Sequence, residues 1–163
     1  MIHPTCLEML ATVQSAFARE IVPRLTDVDG RSTAATIEHL LRYIALRIEH
    51  EGRILTTDIA RLCSLLEEAA QWQQARGIDP SALCGLLAAE ARATGAYRNL
   101  EELGEAALGL RAALVDVQRQ LMAIDRDDAS GALHAHIRDY IAQQLTDEAT
   151  LIDPAFSGKG PRR

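Results

Sequence analysis

Residues Asn99 to Ile124, NLEELGEAALGLRAALVDVQRQLMAI, decide the fold class. Leu100, Leu103, Ala107, Leu110, Leu114, Val117, Leu121 and Ile124 recur there at spacings of three and four, a heptad seam that only a helix can align. Asn99 as N-cap and Glu102 as the third helical residue fit a capping box, so the helix has a defined start. At 1.5 Å per residue it would span roughly 39 Å, long enough for other segments to pack along it. Leu108, Val115 and Met122 form a second line with a seven-residue repeat. Apolar residues on two faces imply a helix covered from both sides, by neighbouring helices or by a partner chain.

The rest of the composition agrees. A chain of 163 residues suits one domain and can bury about 70% of its unfolded surface, so it needs no staple. Aromatic residues make up only 4%, leaving a core of Leu, Ile, Val and Ala suited to helix-on-helix packing. The net charge of -6, with acidic residues throughout, argues against nucleic acid, whose phosphates need a concentrated basic surface. Cys6, Cys63 and Cys84 are odd in number, widely spaced and set among apolar residues. They read as reduced, buried thiols of a cytoplasmic protein, neither a disulfide frame nor a zinc site. No basic-then-apolar leader opens the chain and no apolar run approaches the length of a membrane span.

Along the chain the first helix is expected over Thr5 to Ile21, with Cys6, Leu10, Val13, Phe17 and Ile21 on one face and Pro23 bending its exit. Asp29-Gly30 marks a turn. Ser32 then caps a second helix to about Glu51, with a core face of Ile37, Leu40, Leu41, Ile44 and Ile48, stopped by Gly52. A third runs from about Asp58 to Arg76 with Ile59, Leu62, Cys63, Leu66 and Ala70 inward and Leu65, Ala69 and Trp72 on a flank. Asp79 and Pro80 start a short fourth helix ending near Gly95, with Ile78 stapled to Leu83. The heptad helix is the fifth. After a charged turn from Asp125 to Gly131, a sixth covers Ala132 to Leu145. The expectation is therefore an all-α, single-domain antiparallel bundle of about six helices over residues 1–152, followed by a flexible tail, 153–163, anchored by Phe156.

Tests for chemistry return little. A dinuclear metal bundle would place Glu-x-x-His on two helices, and the chain contains no such motif. His134 and His136 lie about 200° apart around a helix and cannot share a metal. His136 with Asp139 is a lone pair of ligand types, better read as a solvated face. Neither phosphate-binding glycine motif is present. Glu90 falls in line with Leu83, Leu86 and Leu87; reaching water or an arginine is preferred to a desolvated acid. No catalytic, cofactor-binding or metal-binding residue is assigned, and no cofactor is implied.

The second helix offers the one candidate site, a protein interface. His39, Tyr43, Leu46 and His50 share a line opposite the expected core stripe, flanked by Arg42 and Arg47. A leucine in register with a tyrosine and two histidines has the mixed character of a contact surface, towards another helix of this chain or another protein.

Ile21-Val22-Pro23, the run from Ala34 to Glu51, and His136-Ile137-Arg138 through Leu145 to Asp153-Pro154-Ala155-Phe156 resemble small helical bacterial proteins encoded beside kinases of the aminoglycoside-phosphotransferase type and acyl-CoA dehydrogenases. The resemblance implies a non-catalytic accessory subunit of a kinase that phosphorylates the hydroxyl of a hydroxyacyl-CoA in hydroxy-acid catabolism. That family offers no catalytic residue to carry over. Two alternatives stand beside it: a self-assembling structural or regulatory bundle, and a small-molecule-binding bundle or enzyme with a pocket. The expected partner is thus the kinase or a second copy of the chain, with neither nucleic acid nor membrane.

Overall fold

A computed structural model describes residues 3–93, 95–124 and 127–156. The described residues are all-helical and include no strand. Five α-helices occur in the order α1 (Cys6–Ala16), α2 (Val28–Ala75), α3 (Ser81–Ala93), α4 (Leu100–Met122) and α5 (Asp128–Phe156), with π-helical and 3-10 segments between α1 and α2. Contacts divide the chain into two compact units, residues 1–51 with 147–163 and residues 52–146, where the sequence suggests one.

In the first unit, Thr5 caps α1 through a capping box with Glu8. Past Ala16 the helix widens: the Val22 N–H reaches back five residues to the Phe17 carbonyl, closing the π-helical segment Phe17–Ile21. Pro23 has no N–H to extend this ladder, and the chain leaves through the 3-10 turn Val22–Arg24. The next helix begins earlier than Ser32. Asp27 takes the capping role instead, its carboxylate accepting from the Gly30 N–H at 2.5 Å and its carbonyl from the Arg31 N–H.

The helices expected on either side of Gly52 are one helix of 48 residues. Glycine in mid-helix costs only about 1 kcal/mol relative to alanine, which flanking turns can outweigh. Thr56 and Thr57 send their hydroxyls back to the Gly52 and Arg53 carbonyls at 2.8 and 2.9 Å, so their polar groups are satisfied within it. The stop comes at Gly77, whose φ of 70° is open to a residue without Cβ. Gly77 N–H bonds to the Gln74 carbonyl and Ile78 N–H to the Gln73 carbonyl, the Schellman arrangement.

In the second unit, α2 contributes Ile59, Leu62, Leu65, Leu66, Ala69, Ala70 and Trp72 to a core completed by Leu83 of α3, the α4 seam and Leu133, Ile137 and Tyr140 of α5. The flank Leu65–Ala69–Trp72 is thus core as well. α3 begins with Asp79 accepting from the Ser81 N–H and hydroxyl, while the Pro80 carbonyl takes the first helical bond from Cys84. Asn99 and Glu102 form the expected capping box of α4, and Ala107, Leu110, Leu114, Val117 and Leu121 of its seam are buried. α5 starts at Asp128, inside the expected turn. Asp127 and Ser130 cap it reciprocally, and the Ser130 N–H holds the Asp127 carboxyl below the usual carboxylate range.

Polar pairs give the helix directions within this unit. Asp58 of α2 meets Arg111 of α4, and fifteen residues later Gln73 meets Gln120, so α2 and α4 run the same way. α3 supplies the return between them. α5 runs opposite, since Asp58 meets Tyr140 while Arg76 pairs with Asp127. α5 also continues to Phe156, past the start expected for a tail; residues 157–163 of that tail lie outside the described residues.

Candidate functional site

The N-terminal half of α2 carries its two stripes the other way round from the sequence expectation. Ile37, Leu40, Ile44 and Ile48, expected to be core, are 36%, 48%, 45% and 45% exposed. Leu41, at the edge of that stripe, is half-buried. His39, Arg42, Tyr43, Leu46 and His50 are all partly covered, and Arg47 is exposed. The covering group is on α5. Phe156 meets the His39 ring edge-on with centroids 5.7 Å apart and the Tyr43 ring at 5.9 Å. Arg47 lies over the Tyr43 ring and pairs with Glu51, which raises its pKa through that hydrogen bond. His39 and Tyr43 of the amphipathic line thus pack on aromatic carbon, and the purely aliphatic line is open.

The imbalance extends through this unit. Among the described residues its fully covered apolar side chains are Ala34, Leu151 and Ala155, whereas Met9, Val13, Ile21, Ile152 and Phe156 join the α2 stripe as exposed large apolar groups. Leucine or isoleucine exposed singly is ordinary. Four aliphatic side chains aligned over three turns form a contiguous exposed ridge. The sequence signal was present in the spacing; what it could not supply is that Phe156 at the end of α5 packs against the opposite face.

The second unit contains a cleft of about 480 Å³ between mid-α2, the end of α3 and the segment leading into α4. Ile59, Ala60, Leu87 and Leu103 supply apolar wall, and Cys63, Glu67, Glu90 and Arg98 supply the heteroatoms. Glu90 reaches an arginine: it pairs with Arg98, both side chains being largely covered, and Arg98 also donates to the Glu102 carbonyl at 3.1 Å. Burial pushes the Cys63 thiol up, with the charges of Glu90 and Glu67 adding to the shift. It therefore stays a thiol near neutral pH and is a poor nucleophile. Cys6 and Cys84 are exposed, not buried as their apolar neighbours suggest, and all three cysteines are free.

No protein family, curated protein or solved structure matches this chain.

Two further polar clusters have structural partners, while Trp72 Nε1 and Gln73 Oε1 are buried without a hydrogen bond among the described residues. Asp58, 3% exposed, accepts from the Tyr140 hydroxyl at 2.9 Å and from Arg111 at 2.6 Å, joining three helices. Burial raises the Tyr140 pKa to about 12, so the phenol remains the donor. His136 contacts Glu68 at 2.9 Å and shares a shallow depression with Asp139. Among the described residues no three His, Cys, Asp or Glu side chains gather as a metal site, and no helix is long and apolar enough to cross a membrane.

Proposed function

We propose that the protein is a non-catalytic interaction subunit that docks on another polypeptide through the Ile37–Leu40–Ile44–Ile48 ridge of α2. The observation that carries this reading is the exposure of all four side chains in a unit with few buried apolar residues. Covering a Leu or Ile side chain fully is worth about 1.5–3 kcal/mol, so the ridge represents substantial unrealised burial. The Asp58–Tyr140–Arg111 group is internally satisfied, leaving it no evident work in catalysis.

The partner in this reading is a kinase of the aminoglycoside-phosphotransferase type acting on hydroxyacyl-CoA, and the choice rests on the sequence resemblance alone. A cytoplasmic setting belongs to the same reading. Self-association through the ridge is the second form it can take, because an aliphatic ridge without charge is self-complementary. The test is size-exclusion chromatography with light scattering, on the chain alone and mixed with such a kinase from the same genome. A stoichiometric heteromer supports the accessory role and a stable homo-oligomer the self-assembling one. A chain that stays monomeric at tens of micromolar and ignores the kinase overturns both.

A further inference from the structure

The cleft of the second unit is independent of the α2 ridge and has a chemistry of its own. Its volume of about 480 Å³ falls within the range of small-molecule pockets, roughly 300–1,000 Å³. The walls are aliphatic, from Ile59, Ala60, Leu87, Ala91 and Leu103, with Tyr97 at the lining. Tyr97 is 96% exposed, placing an aromatic ring at the mouth.

The polar inventory selects among ligands. Among the described residues Arg98 is the one cation lining the cleft, and its guanidinium is engaged by the Glu90 carboxylate and the Glu102 carbonyl. Two carboxylates and one guanidinium line the cleft, and since Glu90 pairs with Arg98 the excess negative charge is borne by Glu67, whose side chain is exposed. An anionic ligand would share Arg98 with the Glu90 carboxylate that already neutralises it and would meet the second carboxylate, Glu67. A cationic one meets Glu67 without disturbing the Glu90–Arg98 pair. The upward shift of the Cys63 thiol agrees, since the charges of Glu90 and Glu67 are both felt at the same wall. Thr56 turns its hydroxyl to the Gly52 carbonyl, so its donor is already used.

We propose that this cleft binds a small hydrophobic organic cation, a substituted ammonium on an aliphatic or aromatic body, with Glu67 as counter-ion and Tyr97 able to cover the cation at the mouth. Desolvated ammonium groups gain both from a carboxylate and from an aromatic face. The ligand's apolar part lies along Ile59, Leu87 and Leu103, beside the neutral Cys63 thiol.

Three probes of equal chain length separate charge from hydrophobicity: hexyltrimethylammonium, 1-hexanol and hexanoate, titrated calorimetrically into the full chain. The ammonium should bind at least tenfold tighter than hexanoate, with hexanol between them. Glu67→Gln should reduce that preference to under threefold while leaving hexanol affinity unchanged. In a Cys6→Ser/Cys84→Ser background, the ammonium should slow alkylation of Cys63 at least fivefold. Ala60→Trp fills the cleft and should abolish binding of all three; Ala91→Phe serves the same purpose should the first variant lose its helical circular dichroism. Hexanoate binding as tightly as the ammonium overturns the proposal, as does absence of saturable binding, or ammonium binding that leaves Cys63 unprotected or survives the filled cleft.

Discussion

The two halves of α2 bear aliphatic stripes of the same spacing and meet opposite fates. In the C-terminal half, Ile59, Leu62, Leu66 and Ala70 are at most 8% exposed, inside a core drawn from four helices. In the N-terminal half, Ile37, Leu40, Ile44 and Ile48 are all at least 36% exposed. One helix therefore does two jobs, organising a core in one unit and offering an uncovered ridge in the other. Periodicity identifies a stripe; it does not say what covers it.

This contrast predicts unequal mutational costs. Leu66→Ala removes a fully buried side chain and should destabilise the chain by about 3 kcal/mol, the usual range for cavity formation. Ile44→Ala, on the open ridge, should cost well under 1 kcal/mol in the same urea titration, since little contact is lost. Equal costs would mean that the ridge is covered and that the contrast between the halves is false.

The next effect concerns the polar group tying the well-packed unit together. Asp58→Ala leaves Arg111 and the Tyr140 hydroxyl without their shared acceptor. A loss of about 2–3 kcal/mol is expected, below the roughly 3–5 kcal/mol for breaking a fully buried pair because Arg111 keeps some solvent contact. Tyr140→Phe should cost about 1 kcal/mol, the worth of one hydrogen bond. It also carries a pH signature. Tyr140 is raised from 10.0 to about 12 in the folded protein, so the folded state holds that proton more tightly. Its stabilising contribution is complete below pH 10 and fades as the pH rises to 12. Urea midpoints of the wild type should fall more steeply across that window than those of Tyr140→Phe; parallel curves would remove burial of the phenol from the account.

The two regions also differ in how legible they were. The capping box at Asn99 and Glu102 and the α4 seam were readable because local hydrogen bonding and a single dense neighbour set agree there. Gly52 misled because a mid-helix glycine costs only about 1 kcal/mol, and Thr56 and Thr57 beyond it bond their hydroxyls within the helix. α4 repeats the lesson of α2: Leu108, Val115 and Met122, expected under a second cover, are 68%, 43% and 71% exposed. The line His39–Tyr43–Leu46–His50 was visible as unusual. Its contact with Phe156 depends on where α5 ends, more than a hundred residues away in sequence, which no local pattern encodes.

The ridge itself is tested most directly by sedimentation velocity on wild type, Ile44→Asp and Leu46→Asp, with helical content and urea stability measured in parallel. A carboxylate at Ile44 sits in water in the lone chain but would be buried unpaired in an assembly, where such a group costs several kcal/mol. Ile44→Asp should therefore keep its helicity and the urea midpoint of the dissociated monomer while losing the homo-oligomer or the kinase complex. Leu46→Asp places its charge on the partly covered face and should lower the urea midpoint instead. Assembly that survives Ile44→Asp, or is lost through Leu46→Asp alone at unchanged stability, would contradict the ridge as the docking surface and return that role to the line through His39, Tyr43 and His50.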